Sequence, residues 1–306
     1  MSALAAAAAD YLELRRALGF KLVKEGRVLA TFVSYLDGRG AVTITAEATL
    51  AWACQPPDAP PPRWSKRLSV ARAFASYMRA LDPATEVAPT GLWPSARRQE
   101  PFVCNPTEIA ALVDAAARVG TSFAAGTYSV VVGLIAVTGM RTGEVLRLDI
   151  DDVDLDQGLA RVRDTKFGKS REVALHASTV ATLTAYGTWR DRSAQAPLGP
   201  SFFVSRAGSR AKAGQLGLHW QATIDRAGVV RAHGRRPRLH DLRHSFAVNT
   251  LRSWHDAGLD VEARLPLLST YLGHANPAST YWYLTATPDL LAAAARRLET
   301  PNGTST

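Results

Sequence analysis

The segment HDLRHSFA, His240 to Ala247, sets a histidine and an arginine three residues apart, on one face if the segment is helical. Four other places in the same part of the chain carry complementary groups. They are Arg141 in TGMRTGEVLRL, Lys166 in DTKFGKSRE, His274 in YLGHA and Tyr283 in STYWYL. Together these types suit a phosphodiester. Its transition state is a pentacoordinate phosphorus with added charge on the non-bridging oxygens, which two guanidinium groups clamp in fixed geometry. Arg141 and Arg243 fit that role. A departing sugar oxygen has a high pKa and needs a proton, work that suits Lys166 at a hairpin tip.

The attacker is either a metal-activated water or a side chain. The sequence contains no H-E-x-x-H, no zinc-ligand spacing and no carboxylate cluster for a metal pair, which favours a side chain. Tyrosine fits, because its phenol is acidic enough to leave again and the ester it forms is reversible. Bond energy is then conserved, and neither a metal nor a nucleotide cofactor is expected.

The elements that must position these groups are mainly helical. From Ala3 to Leu81, apolar residues recur at spacings of three and four and break at Gly19 and at Gly38 to Gly40. Thr45 is placed to cap a third helix, AEATLAWAC, which the proline cluster QPPDAPPPRW ends. A fourth, SKRLSVARAFASYMRALD, sets an apolar face (Leu68, Ala71, Phe74, Tyr77, Met78) against a basic one (Lys66, Arg67, Arg72, Arg79). A solvated face is the ordinary reading of such a stripe, and a DNA-binding face the functional one.

Residues 1–86 therefore read as a small helical domain, 87–104 as a proline-rich basic linker, and 105–306 as a second domain. That domain opens on NPTEIAALVDAAARV, where Asn105 is an N-cap, Pro106 takes the first helical position and Glu108 completes a capping box. GTYSVVVGLIAVTGM reads as a core helix. GLARVRD and REVALH alternate polar and apolar residues around TKFGKS and read as a β-hairpin. Helices resume to LAAAARRLE, and TPNGTST is a tail.

Composition agrees with a polyanionic partner. The 306 residues carry 36 Lys and Arg against 27 acids, a formal net charge of +9. No window holds the roughly 18 consecutive apolar residues of a membrane span, and the start lacks the plan of a signal peptide, so a cytoplasmic protein is expected. Cys54 and Cys104 match no C-x-x-C spacing and are expected in different domains, with neither a disulfide framework nor a zinc site.

TGMRTGEVLRL, HDLRHSFA and YLGHANPASTYWYL resemble the three sequence boxes of the tyrosine recombinases, the phage integrase family that includes the bacterial Xer recombinases. The resemblance spans most of Asn105 to Leu298: an Arg box, a hairpin Lys, H-x-x-R, then L-G-H with a tyrosine nine positions on. It implies a tyrosine-recombinase fold, with a helical core-binding domain followed by an α-rich catalytic domain carrying a small sheet, closing on duplex DNA as a C-shaped clamp. It also implies roles. Arg141 and Arg243 bind the scissile phosphate, His240 and His274 hydrogen-bond its oxygens, Lys166 protonates the leaving 5′-oxygen, Tyr283 forms a 3′-phosphotyrosyl intermediate, and Glu144 orients Arg141.

The implied assembly is a tetramer on DNA, of one chain or with sister recombinases. Two assignments have rivals. Tyr281 lies two residues from Tyr283, nearly opposite on a helix, and Lys169 shares the turn with Lys166. Spacing favours Tyr283 and Lys166. The run RAHGRRPRLH, with Arg235, Arg236 and Arg238, reads as backbone contact just before His240, as does Lys169.

Departures from the family pattern are local. DVEARLPLLSTYLGH is about one helical turn longer than the Xer pattern, and Tyr283 is followed by Leu284 and Thr285 where many relatives have Thr-His. TYWYL is closer to transposon-borne recombinases. Competing functions are a type IB topoisomerase, a catalytically silent DNA-binding accessory protein, and a metal phosphohydrolase built on His240 and Asp241.

Overall fold

In the N-terminal residues, caps and breakers fix the helices where the sequence puts them. The computed structural model describes residues 2–94, 101–163, 170–195, 199–231 and 234–273. The chain divides into two compact units, Met1–Gln99 and Glu100–Thr306. The first holds α1 (Ala3–Ala17), α2 (Val23–Asp37), α3 (Ala46–Ala53) and α4 (Pro61–Leu81). Thr45 caps α3 by accepting from the Ala48 amide at 3.1 Å.

Helix α4 starts four residues earlier than SKRLSVARAF suggests, at Pro61. Proline is tolerated in a first turn, where its missing N–H has no partner to lose, so the last prolines of the cluster begin this helix. The core between these helices includes Leu29, Phe32, Leu36, Trp52 and Phe74, all fully buried. Each such side chain contributes about 1.5–3 kcal/mol of burial. Val87, Ala88 and Trp93 pack on this same core, so the stretch after α4 is held against its own unit.

The second unit opens on α5 (Pro106–Ala116) with its capping box formed: Asn105 Oδ1 accepts from the Glu108 amide at 2.8 Å, and Glu108 Oε2 from the Asn105 amide at 2.9 Å. Next come α6 (Ser122–Thr138), the single turn α7 (Thr142–Val145), β1 (Val153–Asp154), β2 (Leu159–Val162) and β3 (Arg171–Ala174). Then follow α8 (Ala177–Ser193), α9 (Ala213–Ala227), α10 (Leu239–Asp256) and α11 (Val261–Leu272).

The apolar helix α6 runs through the core, with Val131, Val132 and Ile135 buried. The strands form an antiparallel sheet in the order β1-β2-β3, and Val162 pairs with Arg171 at the hairpin's last described rung. The hairpin is as the alternation predicts; β1 adds a short third strand. Phe102 and Cys104 belong to this unit's core. Cys54 lies in the other unit, and both cysteines are free. Burial pushes the Cys104 thiol up to about 12, which leaves it unreactive.

Among the described residues, no helix is long and apolar enough to cross a membrane. The mainly helical architecture with one small sheet is the expected fold class.

Candidate functional site

Two glycines end the helices that build the site. Gly139 closes α6 at φ +64° and Gly273 closes α11 at φ +67°, a left-handed turn that releases the last carbonyls of each helix toward the same region. A side chain at either position also lacks room: a Cβ would lie 2.5 Å from Phe246 at Gly139 and 2.7 Å from Arg171 at Gly273.

Three guanidinium groups meet those carbonyls. Arg243, on α10 and only 1% exposed, donates to the Gly139 oxygen at 2.7 Å and the Leu272 oxygen at 2.8 Å. Arg141, the residue before α7, donates to the Gly273 oxygen at 3.1 Å. Arg171, which opens β3, donates through Nε to the Tyr271 oxygen at 2.8 Å. Cations at helix C-termini satisfy orphan acceptors and oppose the negative end of the macrodipole.

Glu144 ties two of these arginines together. Its carboxylate, 3% exposed, accepts from Arg141 at 2.7 Å and from the two terminal nitrogens of Arg171 at 3.2 and 2.8 Å. It also accepts from the Arg141 amide at 2.9 Å. Burial alone raises a carboxyl, but the hydrogen bonds from Arg171 and the Arg141 backbone, the Arg171 charge and the Arg141 side chain prevail and hold Glu144 down to about 2. Glu144 is thus bonded to both the side chain and the backbone amide of Arg141.

His240 lies one turn before Arg243 on α10 and remains open to solvent. The atoms crowding its ring desolvate it, and the charges of Arg243, Arg141 and Arg238 outweigh Asp241, so its pKa falls below the ordinary histidine value. The His244 ring stands edge-on to it at 4.5 Å between centroids. Asp241 is buried, and Arg238 engages both its carboxylate oxygens, at 2.7 and 3.0 Å. That carboxylate is occupied by Arg238, and among the described residues no three His, Cys, Asp or Glu side chains gather as a ligand set.

Arg141, Glu144, His240 and Arg243 thus come together. Lys166, Lys169, His274, Tyr281 and Tyr283 lie outside the described residues. The hairpin's two described ends are anchored by acids: Arg163, after β2, pairs with buried Asp152, and Arg171 pairs with Glu144. Arg171 is the site residue that sequence reasoning missed. It looked like an ordinary strand-opening charge, since its partners lie 27 and 100 residues away.

The basic residues assigned to DNA divide by environment. Lys66 is exposed on α4. Arg67 stacks over the Trp52 ring at 3.9 Å and donates to the Trp52 oxygen at 2.8 Å, and Arg72 donates to the Ala88 oxygen at 2.5 Å. Both therefore serve their own unit's packing. Arg236 pairs with Asp225 and Arg238 with Asp241, while exposed Arg235 forms a lone antiparallel bridge with Arg231.

Comparison with known proteins gives the same picture along the chain. Residues 103–289 match the family model described as "Phage integrase family". A Sinorhizobium fredii protein named as an integrase/recombinase, y4rB, is 41% identical, with 98% of each chain covered. The tyrosine recombinase XerC of Azotobacter vinelandii is 31% identical over 72% of this chain and 68% of its own length. Among solved structures, the Tn1549 transposon integrase in complex with transposon right-end DNA superposes with a TM-score of 0.67 at 14% identity, covering 97% of this chain and 99% of that one. XerH bound to its difH substrate in a post-cleavage complex gives 0.62 at 20% identity, covering 89% and 78%. At such identities these two likenesses concern the fold.

Proposed function

The chain belongs to the phage integrase family, and from that premise we propose that it is a site-specific DNA recombinase working through a phosphotyrosyl intermediate. The observation that carries this reading is the convergence of Arg141, Glu144, His240 and Arg243 on the paired ends of α6 and α11.

In this reading Arg141 and Arg243 bind the non-bridging oxygens of the scissile phosphate, and His240 with His274 hydrogen-bonds them. The Tyr283 phenol gives up its proton to solvent as its oxygen attacks phosphorus, a P–O bond to tyrosine forms, and the bond to the 5′-oxygen breaks. Lys166 gives that oxygen its proton. Attack by the 5′-hydroxyl of another strand reverses the step and releases the tyrosine. No metal or nucleotide enters. The reaction takes place in a tetramer on duplex DNA, of this chain alone or with sister recombinases, inside the cytoplasm.

Residues 1–86 act as a core-binding domain, 87–104 as the connection and 105–306 as the catalytic domain. The 41% identical relative named as an integrase/recombinase supports DNA integration or recombination as the outcome.

The test is to incubate the protein, with excess chelator, on a labelled nicked duplex library that includes the gene's own flanking sequence. Covalent adducts are then sought on a denaturing gel. Adducts that vanish in Tyr283→Phe and persist in Tyr281→Phe support the proposal. A protein that binds this DNA and forms no adduct, alone or with candidate partners, is instead an accessory binder.

A further inference from the structure

One buried carboxylate serves two arginines, and only one of them is open to solvent. Arg141 is 39% exposed at its side chain, whereas Arg171 is 12% exposed. All three nitrogens of the Arg171 guanidinium are engaged: Nε with the Tyr271 oxygen, and the terminal pair with the two oxygens of Glu144. It is therefore badly placed to take a DNA phosphate itself. Arg141 and Glu144 alone would cancel, and their attraction would draw the guanidinium onto the carboxylate in a bidentate pair. With Arg171 present, the group keeps one net positive charge, and the exposed member is Arg141.

We propose that Arg171 is a positioning residue for the phosphate-binding arginine: it neutralises Glu144, fixes the end of α11, and so leaves the Arg141 charge available to the scissile phosphate. The proposal rests on the recombinase reading. A second feature agrees with it. Gly273 is where a Cβ would meet the Arg171 guanidinium at 2.7 Å, so the glycine of the L-G-H segment is the space through which this arginine reaches the Tyr271 carbonyl. One side chain thereby sets the relation of β3, α7 and the C-terminus of α11.

The experiment is single-turnover adduct formation on the nicked duplex at saturating protein. It compares a normal scissile phosphodiester with a methylphosphonate, in which a methyl group replaces one non-bridging oxygen and the linkage is neutral. An arginine that acts on phosphate charge matters less on the neutral linkage, and Arg141→Ala supplies the reference for that pattern.

Arg171→Ala is expected to slow cleavage of the phosphodiester by about tenfold or more, a milder effect than loss of a direct oxyanion donor. On the methylphosphonate it should lose distinctly less, following Arg141→Ala, while DNA affinity stays within about twofold because one inward-facing arginine adds little to backbone contact. Arg171→Lys keeps a charge beside Glu144 without the fork and should fall between wild type and Arg171→Ala; it also carries the comparison if the alanine variant does not fold. An Arg171 variant equally slow on both linkages shows a purely structural role and overturns the inference. A wild-type protein that binds the DNA but forms no adduct on either linkage, alone or with candidate partners, overturns the recombinase reading itself.

Discussion

The Arg243 guanidinium donates to the Gly139 oxygen at 2.7 Å and thereby links α10 to the C-terminal end of α6. Its second bond, to the Leu272 oxygen at 2.8 Å, adds the end of α11. A residue expected to bind phosphate is thus also a structural tie. Arg243→Ala removes both charge-assisted bonds from a buried place and should cost on the order of 3 kcal/mol. Thermal unfolding measures this, and adduct formation should be lost in parallel. A variant that melts with the wild type would show that the tie contributes nothing.

Gly139→Ala and Gly273→Ala should both destabilise, for different reasons in sum. Each forces a side chain into the left-handed region, at about 1–3 kcal/mol. At Gly139 the new Cβ also meets the Phe246 ring at 2.5 Å, within a packed cluster, whereas at Gly273 it meets the end of the longer Arg171 side chain. Chemical denaturation should rank Gly139→Ala as the more costly. Adduct formation should suffer at least as much in Gly273→Ala, because Arg171 must move.

Glu144 makes stability depend on acid. Its folded pKa, about 2, lies below the ordinary glutamate value of 4.5, so the stabilisation is complete above pH 4.5 and is lost as pH falls toward 2. The shift corresponds to about 3 kcal/mol. Glu144→Gln should flatten that part of the curve of unfolding free energy against pH relative to wild type.

His240 should titrate below the ordinary histidine value in the free protein, since desolvation and three arginines oppose its charging. A bound DNA phosphate brings the opposite charge and should raise it. Imidazole resonances followed by NMR with and without duplex give both numbers. A His240 pKa that DNA leaves unchanged would remove it from the phosphate site.

The basic face of α4 should separate into two behaviours. Lys66→Ala is expected to weaken DNA binding across sequences and to reduce the salt slope by about 1. Arg67→Ala loses a stack on Trp52 and a bond to its carbonyl, so it should lower the melting temperature of the first unit. A salt titration of binding and a melt on each variant distinguish the two.

What the sequence determined by itself was local or ordinal. Thr45 and the Asn105 to Glu108 box announced their helices because a cap bonds residues two or three positions away. The strands around TKFGKS were readable because side chains alternate with period two. Arg141, His240 and Arg243 stood out by type and order within segments that keep a recognisable pattern.

Tertiary structure alone decided which groups share a partner. Arg171 gained its role from Glu144 and Tyr271, at separations of 27 and 100 residues, and Arg243 from Gly139, at 104. Arg67, Arg72, Arg236 and Arg238 looked like open charges until folding brought a ring, a carbonyl or an acid to each. A charge declares its type along the chain, but what it bonds depends on which helix ends and carboxylates packing places beside it.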